Sequence, residues 1–298
     1  MKTQLNLEEI RVLEAIERRG SFAAAALELH KVPSAVSYTM QKLEEHIGTH
    51  LFEKQGRRAV LTPAGRLLVE QGRQLLMAAD DLVLATQQVA TGWEPRLRIA
   101  VDTVVPIETL LPRIAGLYEL QPNIDISLSA EVLGGTWEAL KEHRVDLVVG
   151  GIDGIPPRGG VTCEPWLSIG HVFVAAPGHP ICKQPQPLCV ADIRKHRAVV
   201  IRDTSRNSVP LSRGMLDEQR YIYVASMADK LQAHLCGLGV GYVPIGPAAD
   251  YLASGELLQL EVEMKRDPDV FMLAWKTSNT GRALTWLVEQ LRQEGQKT

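Results

Sequence analysis

The stretch "TPAGRLLVEQGRQLLMAADDLVLATQQVATGWEP" (Thr62–Pro95) sets the plan for the whole chain. Thr62 can cap a helix, and Pro63 then falls in its first turn, where a missing N–H costs no hydrogen bond. From Pro63 to Thr91 the pattern is that of one continuous helix, which Gly92 and Pro95 end. Leu68, Leu75, Leu82 and Val89 recur every seven residues, as do Val69, Leu76, Val83 and Ala90. A sustained heptad favours a supercoiled helix pair. Gly72 and Ala79 lie between the leucines, where small residues let two backbones approach. A long helix packed on its own protein's core stays open as the alternative. "GWEP" reads as a hinge. The chain thus divides into residues 1–62, 63–91 and 92–298.

Residues 1–62 are largely helical. In "LEEIRVLEAIERRG", Leu7, Ile10, Leu13, Ala15 and Ile16 form an apolar face opposite charged residues. Gly20 stops that helix, and Ser21 can cap the next, which carries Phe22, Ala25, Ala26 and Leu29 on one side. A third helix opens at Pro33 and is expected to bury Val36, Met40, Leu43 and Ile47. Two short strand-like runs around Gln55-Gly56 then read as a hairpin. Two helices with almost nothing between them and alanines at their crossing fit a helix-turn-helix, whose second helix reaches base edges in the major groove. Pro33, Ser34, Ser37, Tyr38, Gln41 and Lys42 open that helix or share its free face. Ser and Gln can hydrogen-bond bases, and Lys and Tyr can also reach phosphates. Lys54, Arg57, Arg58, Arg66 and Arg73 make the following strip basic, with Glu70 the one acid between Lys54 and Arg73. Such a strip supplies sequence-independent affinity through counterion release. The structural alternative is a helical subdomain with a solvated polar face.

The ordered run "SFAAAALELHKVPSAVSYTMQKLEEHIGTHLFEKQGRRAVLTPAG", the long helix and the α/β segment after it resemble the LysR-type transcriptional regulators. The agreement is densest over residues 7–66, in "SFAAAA", "LEEHIGTHLFEK" and "LTPAG". The resemblance implies an α+β multidomain protein: an N-terminal winged helix-turn-helix (1–62), a long linker and dimerisation helix (63–91), and a two-lobed, periplasmic-binding-protein-like effector domain (92–298). Lobe I would span about 96–166 and 268–298, and lobe II about 167–267. It further implies a dimer of dimers on an interrupted palindrome in double-stranded promoter DNA, and RNA polymerase as a partner if the protein activates. By position, Ser34 and Ser37 fall at the start of the recognition helix, Arg57 and Arg58 in the wing and Arg66 near the start of the linker helix. Pro33 stands where the family usually has glutamine and Tyr38 where it usually has arginine. Tyr38 would forgo a bidentate guanine contact worth about 1–3 kcal/mol of discrimination.

Beyond residue 95, β-rich runs such as "RLRIAV", "VDLVVGG" and "AVVIRD" alternate with helical stretches, as in βαβ units around a mostly parallel sheet. Ligands of such sheets sit at the carboxyl ends of strands. Three exits stand out: Asp102-Thr103; Gly134 to Trp137, including Gly135 and Thr136; and Arg202, Thr204 and Ser205. The family resemblance puts effector contacts in these same loops, with Tyr242 to Gly246 as a further wall. Hydroxyls and helix-start N–H groups suit a small anion or polar ring, and Trp137 can stack on an aromatic one. Its plainer role is packing, and Arg202 can equally pair with an acid nearby.

The formal charge of −3 over 298 residues gives no global sign of a polyanion partner, so that evidence is local. The N-terminus lacks a signal-type apolar core, and no run of about 18 uncharged apolar residues exists, so a cytoplasmic protein without membrane attachment is expected. "GLGVG" (Gly237–Gly241) follows a helix and precedes a strand, the reverse of a dinucleotide loop. No nucleophile elbow, P-loop or zinc motif is present; no catalytic residue, metal or cofactor is expected. Two further readings stay open. Cys182 and Cys189, in "ICKQPQPLC", could form an oxidant-sensing pair, and the chain could be a small-molecule receptor with no DNA role.

Overall fold

The computed structural model describes residues 5–55, 58–154 and 159–295, which form two compact units, one reaching Thr86 and one starting at Gln87. In the first, α1 (Leu7–Arg19) starts at a reciprocal cap. The Glu8 N–H donates to Asn6 Oδ1 at 3.0 Å, and the Asn6 N–H donates to Glu9 Oε2 at 3.2 Å. Gly20 ends it with φ 72°, a conformation open to glycine without a Cβ clash. Ser21 Oγ accepts the Ala24 N–H at 3.2 Å and so caps α2 (Phe22–Glu28). Pro33 opens α3 (Pro33–Ile47), and Gly48 closes it. Val12, Leu13, Ile16, Ala25, Ala26, Val36, Met40 and Leu43 form the shared core. Two expected core residues face water instead. Leu7 lies in the first turn of α1 and Ile47 in the last of α3, beyond the packed region, and Val12 takes the buried place in α1.

β1 (Phe52–Gln55) and β2 (Arg58–Leu61) form an antiparallel hairpin with Phe52 opposite Leu61. Glu44 of α3 anchors its root by accepting the Leu51 N–H at 2.6 Å and the Phe52 N–H at 3.2 Å. Thr62 Oγ1 accepts the Gly65 N–H at 3.0 Å as the cap of α4 (Pro63–Thr91). The heptad divides between two tasks. Val69 and Leu76 are buried, whereas Leu75, Leu82, Val83 and Val89 are exposed. Gly72 serves the protein's own core: a Cβ there would meet the Ile10 side chain at 2.5 Å, so α4 lies tight on α1.

The second unit holds two sheet systems. β3 (Arg96–Asp102) is followed by α5 (Leu111–Leu120), β4 (Asp125–Glu131), α6 (Gly134–Lys141), β5 (Leu147–Ile152) and β6 (Val161–Ile169). The chain then passes through Gly170 into β7 (His171–Ala175), followed by α7 (Val190–Arg194), β8 (Ala198–Ile201), β9 (Tyr221–Val224), α8 (Met227–Leu235), β10 (Gly241–Pro244), α9 (Ile245–Ser254) and β11 (Leu258–Gln259). β12 (Asp269–Lys276) and α10 (Arg282–Gly295) return to the first system.

The first sheet has the order β4-β3-β5-β12-β6. β3 runs parallel to β4 and β5, and β12 is antiparallel to β5 and β6. The second system pairs β7 antiparallel with β10 and β11, and β8 parallel with β9. This is more antiparallel than simple strand–helix alternation implies, because β12 enters the first sheet on its way back rather than through a helical crossover. The "GWEP" stretch is tied down rather than free. Glu94 is buried and accepts the Ala283 and Leu284 N–H groups at 2.9 and 3.1 Å, closing the start of α10.

Candidate functional site

Two regions collect the residues singled out by sequence. In the first unit, Val36, Met40 and Leu43 seat α3 in the core and leave Pro33, Ser34, Ser37, Tyr38 and Gln41 on the outside. Lys42 is half-buried on the same side. Its Nζ reaches Glu45 at 2.6 Å and lies 5.8 Å from the centre of the Tyr38 ring; the hydrogen bond to Glu45 holds the ammonium above its usual pKa. Gln41 also donates to Glu45, at 3.2 Å. Arg66 donates to the Leu61 carbonyl at 2.7 Å and stays exposed, beside the end of the hairpin. Lys54 and Arg58 fall on β1 and β2 by backbone position, and Arg57 lies outside the described residues. Arg73 departs from the expected basic strip: it pairs with Glu17 at 2.7 Å and Glu14 at 3.5 Å on α1, which cancels its charge locally.

In the second unit a cavity of about 70 Å³ opens beside the crossing from β6 to β7. Asp102 and Thr103 at the end of β3 line it, as does Tyr242 of β10. Its apolar wall comes from Val104, Leu133, Ile152, Met227 and Phe271. Its charged lining was not anticipated from sequence: Lys230 on α8, His171 at the start of β7, and Arg213, Arg266 and Asp269. Arg213 donates to Asp269 Oδ1 at 2.6 Å, Arg266 donates to Asp269 Oδ2, and His171 Nε2 stands 3.6 Å from that same oxygen. Burial pushes the Asp102 carboxyl up to about 7, against the stabilising amides of Val104 and Leu133. Burial, helped by Arg266, pulls the Lys230 ammonium down to about 8. It also holds His171 below its usual range, so that ring is neutral at pH 7.

The remaining expected contacts lie elsewhere. Trp137 is buried, with its Nε1–H donating to the Ile152 carbonyl at 3.0 Å, so its ring is committed to packing. Thr136 is buried and donates to the Leu133 carbonyl at 2.7 Å. The N-terminus of α6 is filled by the protein's own Asp203, which accepts the N–H groups of Gly134 and Gly135, both at 3.2 Å, Ser205 at 2.7 Å and Leu211 at 2.6 Å. Thr204 Oγ1 accepts the Val132 N–H at 2.9 Å and donates to Glu131 at 2.5 Å. A Cβ on Gly135 would lie 1.8 Å from Thr204 Oγ1, so the loops fit only with glycine there. Arg202 stacks over the Tyr223 ring at 5.0 Å. Of the nine expected effector contacts, Asp102, Thr103 and Tyr242 meet at the cavity. The other six form or flank a knot beside it that Asp203 and Thr204 tie together, in which the Ser205 hydroxyl alone of these six is buried without a partner.

The cysteines argue little for thiolate chemistry. Cys182 donates to the Ala176 carbonyl at 3.3 Å, and burial raises its thiol pKa, opposite to what a reactive thiol needs. Cys189 donates to Asp192 at 3.0 Å. Among the described residues no cluster of side chains could hold a metal ion, and no helix is long and apolar enough to cross a membrane.

A helix-turn-helix with a β-hairpin, followed in sequence by a long helix and an α/β unit with a polar cavity, is the plan of a one-chain, ligand-responsive DNA-binding regulator. Residues 7–66 match the family described as "Bacterial regulatory helix-turn-helix protein, lysR family", and residues 90–296 match "LysR substrate binding domain". The chain belongs to the LysR family of transcriptional regulators. It is 39% identical to the probable HTH-type transcriptional regulator YhaJ of Escherichia coli K12 over 287 residues, 96% of each protein. It is 34% identical to PunR of the same organism over 282 residues, 95% of this chain and 91% of PunR. Full-length CbnR, solved with its target DNA, shares the fold at a TM-score of 0.64 and 19% identity, covering 97% of this chain and 99% of that one.

Proposed function

We propose that this LysR-type DNA-binding regulator lays α3 in the major groove of a promoter half-site and responds to a small molecule held in the cavity of its second unit. The observation that carries the reading is the contrast across α3. Val36, Met40 and Leu43 are fully sequestered, while Ser34, Ser37 and Tyr38 present donors and acceptors to water, and Gln41 is tied only to the exposed Glu45 of its own helix. Lys42 and Arg66, with Lys54, Arg57 and Arg58 by their sequence position, supply phosphate contacts, and Pro33 sets where α3 begins. The exposed Leu75, Leu82 and Val89 of α4 are an apolar face for a second copy, giving a dimer and, in pairs, a dimer of dimers on an interrupted palindrome. We take residues 1–62, 63–91 and 92–298 as the DNA-binding, linker and effector regions. DNA as the partner puts the work in the cytoplasm, with RNA polymerase as a further partner if the protein activates. Regulation, not catalysis, is the activity assigned.

Ligand occupancy would act by population shift, changing how copies pack and so the half-site spacing they match. The test is selection of genomic fragments by the purified full-length protein, followed by anisotropy titration of a selected fragment across a range of salt. Enrichment of particular fragments and a steep fall of log K with log salt support the reading. A flat salt response with no enriched fragment overturns it.

A further inference from the structure

The cavity beside the β6–β7 crossing holds more positive charge than its own side chains neutralise. Arg213 and Arg266 share one carboxylate, Asp269, whose two oxygens each take a guanidinium. Asp102 is likewise engaged, with Oδ1 on the Val104 N–H at 2.9 Å and Oδ2 on the Leu133 N–H at 3.1 Å. Lys230 is 9% exposed, and its ammonium makes no hydrogen bond or ion pair with any described residue; its backbone N–H donates to the Ser226 carbonyl at 3.0 Å. Lys230, Arg213 and Arg266 stand against Asp269 and an Asp102 that burial leaves only partly ionised at neutral pH, an excess of at least one positive charge. The Thr103 hydroxyl, also in the lining, is buried without a partner. An ammonium withdrawn from water and left unpaired is costly, and a ligand of opposite sign would relieve that cost.

The geometry points to a compact organic monoanion as the effector, a carboxylate on a short apolar body, with its head on Lys230 and Thr103 and its body against Val104, Ile152, Met227 and Phe271. This rests on the reading of the cavity as the effector site. One negative charge balances the excess. The apolar wall favours hydrocarbon over a second polar end. A cavity of about 70 Å³ has room for roughly five to seven water-sized groups, which sets the number of non-hydrogen atoms. A zwitterion fits less well, because both carboxylates that could receive its ammonium already hold donors of the protein.

Calorimetric titration of the full-length protein with butyrate and 2-oxobutyrate, beside neutral butyramide and zwitterionic 2-aminobutyrate, tests this. The carboxylates are expected to bind saturably and at least tenfold tighter than the other two. Lys230→Met is expected to weaken them at least tenfold, and the near-isosteric Thr103→Val by a few-fold, which keeps the test open should the lysine variant fail to fold. Equal binding of butyramide or 2-aminobutyrate, no saturable binding of either carboxylate, or unchanged binding by folded Lys230→Met overturns the assignment. Fragment selection with the same preparation separates the two readings. Selective DNA binding without carboxylate binding sinks the ligand class and leaves the regulator. Carboxylate binding without selective DNA binding does the reverse.

Discussion

Asp203 closes the N-terminus of α6 by accepting the Gly135 N–H at 3.2 Å, and so occupies with its own carboxylate the place where an anionic ligand would otherwise be sought. The same carboxylate takes the amides of Gly134, Ser205 and Leu211. Asp203→Ala strands four buried or half-buried N–H groups, and such groups cost about 1–3 kcal/mol apiece when truly unsatisfied. With water reaching some of them, a net loss of about 2–4 kcal/mol is expected, read as a lower melting temperature in calorimetry. Asp203→Asn keeps one acceptor oxygen and is expected to lose less.

Asp102 gives the protein a pH-dependent stability of identifiable sign. Burial raises its carboxyl to about 7, with the Asp203 carboxylate adding to the rise, whereas in the unfolded chain it ionises near the ordinary aspartate value. A raised acid favours the folded state at pH below its unfolded pKa, and that contribution fades as pH climbs toward the folded pKa. Asp102→Asn removes the titration. The variant is expected to gain stability relative to wild type between pH 5 and pH 8 in parallel denaturant melts, and an unchanged difference at the two pH values counts against the assignment.

Lys230 gives the ligand affinity a pH dependence of its own. Its ammonium is pulled down to about 8 by burial and by Arg266; His171, Arg213, Asp102 and Asp269 also line its cavity. Ionisation of Asp102 near pH 7 adds a negative charge to the lining, and an anion pairs with the charged ammonium only, so butyrate affinity should weaken through pH 7 and fall by up to tenfold per further unit above pH 8. Proton uptake on binding, seen as a buffer-dependent heat near pH 8, is the companion signature.

Glu45 restrains the proposed reading face by holding Lys42 at 2.6 Å and Gln41 at 3.2 Å. Both must leave it to touch DNA, and the carboxylate itself repels phosphate. Glu45→Gln is expected to strengthen binding to unrelated duplexes several-fold and to steepen the salt slope by about one ion, measured by anisotropy.

The sequence carries the N-terminal unit well because its signals are local. Gly20, Ser21, Pro33, Thr62 and Pro63 each act through hydrogen bonds or torsions of adjacent residues, and each falls at an element end. Leu7 and Ile47 defeat the periodic reading because the pattern does not say where a helix outruns its partner. The cavity was half legible. Asp102 and Thr103 follow from the strand-end rule, but Lys230, His171 and Asp269 converge from β7, α8 and β12, which only the fold brings together. One clue was in view: Lys230 sits among Met227, Leu231 and His234 on the inward face of α8, where a lysine has no ordinary place. Trp137 shows the converse, an aromatic at a helix head that is absorbed by packing.

The most direct measurement of the central claim compares wild type with Ser34→Ala/Ser37→Ala/Gln41→Ala on a selected promoter fragment and on a scrambled duplex. All three side chains are exposed, so melting temperature should be unchanged. The variant is predicted to bind the promoter no better than the scrambled duplex, with non-specific affinity kept. A folded variant that retains the wild-type preference for the promoter would contradict the placement of α3 in the groove.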